Sequence, residues 1–251
     1  MIVKSRNNKG FTIVELLIVI VVIGILAAIT IVAYNGISER ARMASITAFV
    51  SQIKHANLQD ATGNWSFDEC SGSTIGASNG AATATTTSTI YWSSDTPTGT
   101  GCSIQFNNTY QITTTAKISS TYYFKGAWVK QAVGNTCGGG NIISDATLST
   151  TATAFYGPGC TLTSGHNGSW ALVADTKSIA DGKWHYVAIE FTADAAASTG
   201  VLKFYRDGVV TSINNSAAKP VGTDTATMAI GGYQNNNFFS GWIDDPIIIA
   251  R

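Results

Sequence analysis

From Leu16 to Ala33 the chain runs eighteen residues without a charge, and only Gly24 and Thr30 interrupt the apolar side chains. A helix of that length crosses the hydrocarbon of a bilayer, so the chain divides into a membrane-spanning segment and whatever it carries. Directly before the run stands Glu15, a carboxylate of the kind that costs about 2.5–3.5 kcal/mol at a bilayer centre on insertion scales. Such a residue is a functional hypothesis whose partner has to be named. Lys4, Arg6 and Lys9 precede the run with no acid among them. Cytoplasmic flanks carry positive charge, so this end is expected to stay in the cytoplasm while the rest is exported. A secretory signal has a shorter apolar core followed by a small-x-small cleavage site, so any processing is expected before the run.

The chain has 251 residues, room for one large domain or a medium one plus an appendage, with enough length to bury a core. Only 12% of the residues are charged and the formal net charge is zero, which gives no indication of a nucleic acid or other polyanionic partner. All four cysteines, Cys70, Cys102, Cys137 and Cys160, follow the apolar run. An even count outside the cytoplasm reads as disulfides, and four cysteines allow three connectivities. We expect the sequential pairing, Cys70 with Cys102 and Cys137 with Cys160. Each bridge would staple a Gly/Thr/Ser-rich loop for roughly 3 kcal/mol in the chain-entropy model. A tetrathiolate zinc site is not expected, because no pair has the close C-x₂₋₄-C spacing.

The stretch KGFTIVELLIVIVVIGILAAI, residues 9–29, follows a short basic leader and resembles the N-terminal segment of type IV prepilins and the related pseudopilins of secretion systems. The resemblance implies cleavage by a prepilin peptidase between Gly10 and Phe11, followed by methylation of the new N-terminus. It makes Glu15 the fifth residue of the mature chain. The partner of Glu15 would then be the terminal amine of Phe11 on a neighbouring subunit, which neutralises the acid as a filament assembles. The rival reading is a plain signal anchor, in which Glu15 sits near a helix start because the macrodipole favours a carboxylate there. One departure stands out: members of the family commonly carry a proline where this chain has Val32, so Gly24 is the only helix-weakening residue in the span.

Beyond the apolar run, Ile37, Ala41, Ala44 and Ala48 recur at helical spacing, and Phe49, Ile53 and Ala56 continue an apolar stripe. Arg40, Arg42 and Lys54 lie off it. The pattern predicts one helix from about Phe11 to about Asp60, its first half in lipid or a filament core and its second half packed on the exported domain. Gly63 and Asn64 are expected to end it. The expected organisation is a leader over residues 1–10, a pilin helix over 11–62 with its membrane span at 11–33, and an exported domain over 63–251.

From Trp65 onward short alternating runs are separated by Gly, Asn, Thr and Ser. FKGAWVK, WHYVAIEF, VLKFYRDGVV, TMAIGG and GWIDDPIIIA read as strands, with a hairpin turn at Asp207-Gly208. Val187, Ile189 and Phe191 share one face, with Tyr186, Ala188 and Glu190 on the other. Residues 71–101 read as a long surface loop or decorated edge. The predicted class is α+β: a long N-terminal helix followed by an antiparallel β-sandwich. The motifs WSFDECSG (65–72), CSIQFNNTYQI (102–112), FKGAWVK (124–130), DGKWHYVAIEF (181–191), LKFYRDGVV (202–210), AIGGY (229–233) and FFSGWIDDPII (238–248) resemble, in order, the laminin-G-like or concanavalin A-like jelly rolls. That resemblance implies two packed sheets, often a carbohydrate- or protein-binding role, and in some members a bound calcium.

Glycosidases need two carboxylates about one sugar bond, and this domain holds only Glu69 and Glu190 as glutamates. Asp68 and Glu69 are neighbours that a strand would point to opposite faces, so paired-carboxylate catalysis is not expected. Trp184, His185 and Tyr186 read as packing residues, since His185 lacks an acidic neighbour in sequence, and His55 and His166 offer no metal spacing with it. A calcium hypothesis attaches to Asp244 and Asp245, against a reading in which one of them caps a turn before Pro246. No other cofactor is indicated. Tyr91, Trp92, Trp170, Tyr233, Phe238 and Phe239 fall in loop-like stretches where a glycan would stack, although core packing claims aromatics more often. The leading expectation is a non-enzymatic pilus-like subunit, held in the bacterial inner membrane as precursor and then in a surface filament. Its expected partners are other pilin subunits, the prepilin peptidase, and a glycan or surface protein. The alternatives are a pseudopilin of a type II secretion or DNA-uptake machine, and a membrane-anchored binding module that never polymerises.

Overall fold

The computed structural model describes Gly10 and residues 12–78, 82–135, 138–146, 155–223 and 226–251. The side chains of Asn35, Leu58 and Pro158 lie outside the description, as do the leader over residues 1–9 and the expected functional residues Phe11 and Cys137. The chain forms two units, one ending at Ser45 and the other spanning Ile46–Arg251.

The helix α1 covers Ile13–Asn57 and is followed by a short 3₁₀ turn, Leu58–Asp60. In the first unit it presents an unbroken apolar surface: Leu17 is 55%, Ile20 59% and Ile25 56% exposed. Such a surface is stable only against lipid or other apolar helices. Thr30 satisfies its hydroxyl locally, donating to the Ala27 carbonyl at 2.9 Å.

In the second unit the end of α1 packs through Ile46, Phe49, Val50 and Ile53, with Asn57 buried one turn on. This corrects the expected stripe: Phe49 and Ile53 belong to it, but Ala44, Ala48 and Ala56 are exposed. The reason is helical phase: at 3.6 residues per turn Ala44 and Ala48 lie on the side of the helix opposite Ile46, Val50 and Ile53, and Ala56 falls at the edge of the packed face. Gly63 and Asn64 do not cap the helix either. They belong to the first strand, where Gly63 makes room for the indole of Trp65, which a Cβ would meet at 2.1 Å. Arg251 Nε meets Asp60 Oδ2 at 2.6 Å and its guanidinium lies over Tyr122, tying the chain's last residue to the end of the helical segment.

In chain order the strands are β1 (Ala61–Asn64), β2 (Ala84–Thr85), β3 (Tyr91–Ser93), β4 (Ser103–Asn107), β5 (Ile112–Thr114), β6 (Tyr122–Lys130), β7 (Gly138–Asn141) and β8 (Ile143–Asp145). They continue with β9 (Phe155–Pro158), β10 (Thr161–Ser164), β11 (Val173–Ser178), β12 (His185–Ala193), β13 (Thr199–Arg206), β14 (Val209–Ala218), β15 (Met228–Ile230) and β16 (Ser240–Ala250). Eight of them form one antiparallel sheet in the order β14-β13-β12-β6-β16-β4-β3, with β1 also on β16. The others form two four-stranded sheets, β11-β10-β9-β7 and β2-β5-β15-β8.

One buried cluster joins the large sheet to both small ones. Val187, Ile189, Phe191, Leu202 and Phe204 come from the former, and Ile112, Ile143, Leu162 and Met228 from the latter. The predicted alternation of β12 holds, since its opposite face carries Tyr186 toward Phe49 of the helix, 6.1 Å between ring centroids. The expected hairpin joins β13 to β14, with Asp207 and Gly208 at φ 53° and 81°. β16 kinks at Asp245, which has φ 55°, and its register against β6 slips between Asp244 and Ile247. That bulge accommodates Pro246 within a strand.

Residues 71–101 are the edge decoration expected, and they also supply core side chains: Ile75, Ala82, Ala84 and Ile90 are buried. The Cys70–Cys102 bridge closes this segment with a Cα–Cα distance of 5.3 Å. The other expected bridge involves Cys137 and so falls outside the described residues.

Candidate functional site

At the membrane end, Thr12 and Glu15 form a capping box. Thr12 donates its backbone N–H and its hydroxyl to Glu15 Oε2, both at 2.8 Å, and the Glu15 N–H donates to Thr12 Oγ1 at 3.2 Å. The T-x-x-E spacing of Thr12 and Glu15 is the sequence signal for this helix start. Within one chain, then, the carboxylate already occupies the orphan donors of the helix terminus.

The two acids proposed for calcium are adjacent in β16 but differently placed. Lys54 Nζ sits 2.5 Å from Asp245 Oδ1, whereas Asp244 is 6% exposed. Burial first, then the nearby charges of Asp245 and Asp68, push the Asp244 carboxyl up to about 8. Among the described residues, no three His, Cys, Asp or Glu side chains cluster as a metal ligand set. An ammonium occupies the place beside Asp245.

The glutamates considered for catalysis belong to separate networks. Glu69 Oε1 accepts from the Gly76 N–H at 2.7 Å, and Glu190 accepts from Tyr205 at 2.5 Å and Lys203 at 3.2 Å. His185, in contrast, has the acidic neighbours that its local sequence did not suggest. Nδ1 lies 2.8 Å from Asp207 Oδ2, while Nε2 lies 3.1 Å from Asp181 Oδ2 and 3.1 Å from the Arg206 guanidinium. The two contacts at Nε2 exclude each other: as a lone pair it accepts from Arg206, and as N–H it donates to Asp181. The hairpin at Asp207 and the preceding loop bring these groups to one end of β12.

A second histidine is internal. His166 Nε2 faces the Ala218 carbonyl and Nδ1 faces Tyr123 Oη at 3.1 Å, so Nε2 carries the proton and Nδ1 accepts. Burial lowers its pKa to about 4, with the Lys125 charge a smaller contribution, so it is neutral. Burial likewise brings Lys125, which donates to the Ile143 carbonyl at 3.1 Å, down to about 7. Alternation alone did not reveal that β6 points a lysine into the core.

Of the aromatics considered for stacking, the structure brings two together. Trp170 and Tyr233 meet with ring centroids 5.1 Å apart, and Tyr156 completes the group 5.9 Å from Trp170. Phe239 is 1% exposed and lies in the core; β16 begins one residue later and its register fixes that placement. Tyr233 is 7% exposed, so its ring serves as a support. Tyr91 pairs with Tyr110 elsewhere, and the Trp92 indole N–H donates to the Gly72 carbonyl at 3.0 Å.

Comparison with known proteins accounts for both ends of the chain. Residues 5–31 match the prokaryotic N-terminal methylation motif, and residues 98–251 match the concanavalin A-like lectin/glucanases superfamily. A fimbrial protein of Pseudomonas aeruginosa is 46% identical over 51 residues, 20% of this chain and 33% of that protein. A type IV major fimbrial protein, FimA, of Dichelobacter nodosus is 45% identical over 56 residues, 21% of this chain and 35% of that protein. The chain thus spans about a third of the length of these relatives. Domain 4 of AbnA, a GH43 extracellular arabinanase from Geobacillus stearothermophilus solved with arabinotriose, superimposes with a TM-score of 0.56 at 20% identity, covering 76% of this chain and 92% of that one. A structure from work on ganglioside-dependent cell entry of botulinum neurotoxin type C gives 0.54 at 13% identity, covering 77% of this chain and 48% of that one. At these identities the superpositions show a shared fold.

Proposed function

Because the chain belongs to the concanavalin A-like lectin/glucanases superfamily and begins with a prepilin-type methylation motif, we propose that it is a type IV pilus-like structural subunit displaying a lectin-like domain for adhesion. In this reading a prepilin peptidase cuts between Gly10 and Phe11 in the inner membrane, and the new Phe11 amine of one subunit meets Glu15 of the next. The observation that carries it is the helix of the first unit, whose membrane-length apolar stretch has no side chain buried inside the protein. A filament core of like helices covers that surface after the subunit leaves the bilayer. The fimbrial relatives, similar over this same segment, support assembly. Glu69 and Glu190 sit in separate hydrogen-bond networks, which supports a binding module without hydrolytic activity.

The capping box favours a second reading, a membrane-anchored binding module that does not polymerise, because Glu15 is satisfied inside one chain. Glu15→Gln separates the two. Glutamine keeps the hydrogen bonds of a capping box but supplies no negative charge to a terminal amine. The filament reading expects surface filaments from the native chain, a methylated N-terminus at Phe11, and loss of filaments in both Glu15→Gln and Glu15→Ala with membrane insertion retained. A chain that keeps its leader, or filaments undiminished in both variants, overturns it.

A further inference from the structure

We propose that the tip formed by Trp170, Tyr156 and Tyr233 is a binding site for a neutral glycan, with a sugar ring stacked on the Trp170 indole; this rests on the lectin-like reading above and names its site and ligand class.

Trp170 is 37% exposed, while Trp65, Trp128 and Trp184 are buried at 0%, 2% and 7%. What sets Trp170 apart is that its exposed indole face is backed by two other aromatic rings, an apolar surface of the kind a sugar ring stacks on. The ring is held in place, since Tyr233 and Tyr156 stand nearly perpendicular to it at 85° and 83°. A held ring loses little freedom when a ligand arrives, which is the entropic advantage of a preformed site.

Two tight turns build this tip. His166-Asn167-Gly168-Ser169 is closed by Ser169 N–H to the His166 carbonyl at 3.1 Å, with Asn167 and Gly168 at φ 56° and 78°. Tyr233-Gln234-Asn235-Asn236 is closed by Asn236 N–H to the Tyr233 carbonyl at 2.8 Å, with Gln234 and Asn235 at φ 49° and 56°. Positive φ at both central positions makes these hairpin turns of type I′. The first has the favoured Asn-Gly pair. The second places a glutamine in the left-handed region, which persists only where the surroundings enforce it. Here Gln234 N–H donates to the Asp145 carbonyl at 3.1 Å and Asn235 N–H to Gln111 Oε1 at 2.9 Å.

The strained turn leaves Asn235 and Asn236 exposed directly after Tyr233 in the chain. Neither 165–172 (GHNGSWAL) nor 233–239 (YQNNNFF) contains an acidic residue, a lysine or an arginine, and His166 is buried and neutral. Amides donate to and accept from sugar hydroxyls, while the ring face, negative in its quadrupole, meets the apolar C–H face of a sugar. The rings and turns themselves are uncharged; Lys219, whose carbonyl accepts from Asn167 Nδ2 at 2.8 Å, is the adjoining cation on which an anionic glycan would have to draw, and the sialyllactose arm below reads that outcome.

The test is calorimetric titration of the full chain in detergent with arabinotriose, cellotetraose and 3′-sialyllactose, on the native protein and on Trp170→Ala, Trp170→Phe and Val209→Ala. The native protein is expected to bind a neutral probe in preference to sialyllactose. Trp170→Ala should weaken that binding about tenfold or more, as removal of an aromatic stacking surface does elsewhere. Trp170→Phe, which keeps an aromatic face, and Val209→Ala, at an exposed apolar side chain of β14 outside these turns, should stay within about threefold of native. Native-like binding by Trp170→Ala overturns the site and leaves the lectin-like reading standing. Preference for sialyllactose overturns the neutral class, and no binding to any probe overturns the lectin-like reading together with the site.

Discussion

Lys54 Nζ lies 2.5 Å from Asp245 Oδ1, so a lysine of the helix neutralises one of two adjacent acids at the bulge of β16. Its neighbour Asp244 gains little from that ammonium. Burial dominates, and the charges of Asp245 and Asp68 add to it, so that the Asp244 carboxyl is raised to about 8. The bulge that lets Pro246 into the strand is also what sets these two side chains in unlike surroundings.

A pH dependence follows from that asymmetry. With a folded pKa of about 8, against about 3.9 for an unfolded aspartate, the native state keeps a proton that the unfolded chain has released. The stability Asp244 contributes is full below about pH 4, declines as the pH rises toward 8, and then levels off. Asp244→Asn mimics the protonated acid and does not titrate. Urea midpoints of the full chain between pH 5 and 9 should fall less steeply for the variant, with the variant the more stable at pH 8. Parallel profiles would show that Asp244 ionises as an ordinary aspartate.

Phe49 tests the docking of the helix end. Its ring lies 5.6 Å from Tyr205 and 6.1 Å from Tyr186 by centroid, and a Cβ on Gly208 would come within 3.2 Å of it. Phe49→Ala should cost about 2–3 kcal/mol, below the full core value because Phe49 is only part-buried. Chemical denaturation of the second unit's tryptophan fluorescence checks this, and a loss under about 0.5 kcal/mol would show that the ring adds nothing beyond surface contact.

Among the long strands of the large sheet, strict period-two burial marks β13 alone, while β6, β12 and β16 were legible as long strand-like runs that are buried on both faces over most of their length, the helix end covering part of the outer face of β12. The helix was legible from its uncharged run. Its packing face was not, because the alanines at helical spacing trace an apolar face on the side opposite the one that meets Tyr186 and Tyr205 through Phe49. The site was less legible. Asn167-Gly168 carries a recognisable turn signal, but Gln234-Asn235 has none, since tertiary hydrogen bonds impose its conformation. The pairing of Trp170 with Tyr233 joins residues 63 positions apart in sequence, and no local pattern encodes it. For the same reason His185 looked isolated, although the hairpin returns Asp207 to within 2.8 Å of it.

The Cys70–Cys102 bridge spans a sequence separation of 32 residues and closes a segment with few long apolar side chains. Chain entropy assigns such a loop about 3–4 kcal/mol. The double variant Cys70→Ser/Cys102→Ser should lower stability by that order, and proteolysis of the folded protein should begin within 71–101. Cleavage first elsewhere, with an unchanged unfolding midpoint, would show that Ile75, Ala84 and Ile90 hold the segment without the bridge.

The Arg206–Asp175 pair is buried, with side-chain exposures of 9% and 1% and a 2.8 Å contact. The guanidinium also donates to the carbonyls of Lys177 at 2.9 Å and Ser178 at 3.0 Å. Removing the acid leaves a buried cation without its direct carboxylate partner, facing the two carbonyls, the His185 ring and, further off, the more exposed Asp181, so Asp175→Ala should cost about 3–5 kcal/mol. Lys203 and Glu190 form a more exposed pair, 35% and 20% by side chain, and Lys203→Ala should cost no more than about 1 kcal/mol. The ratio of the two losses in parallel urea titrations is the measurement. Should Asp175→Ala cost no more than Lys203→Ala, the two carbonyls and the His185 ring already compensate the Arg206 charge, and the end of β13 is held by hydrogen bonds rather than by an ion pair.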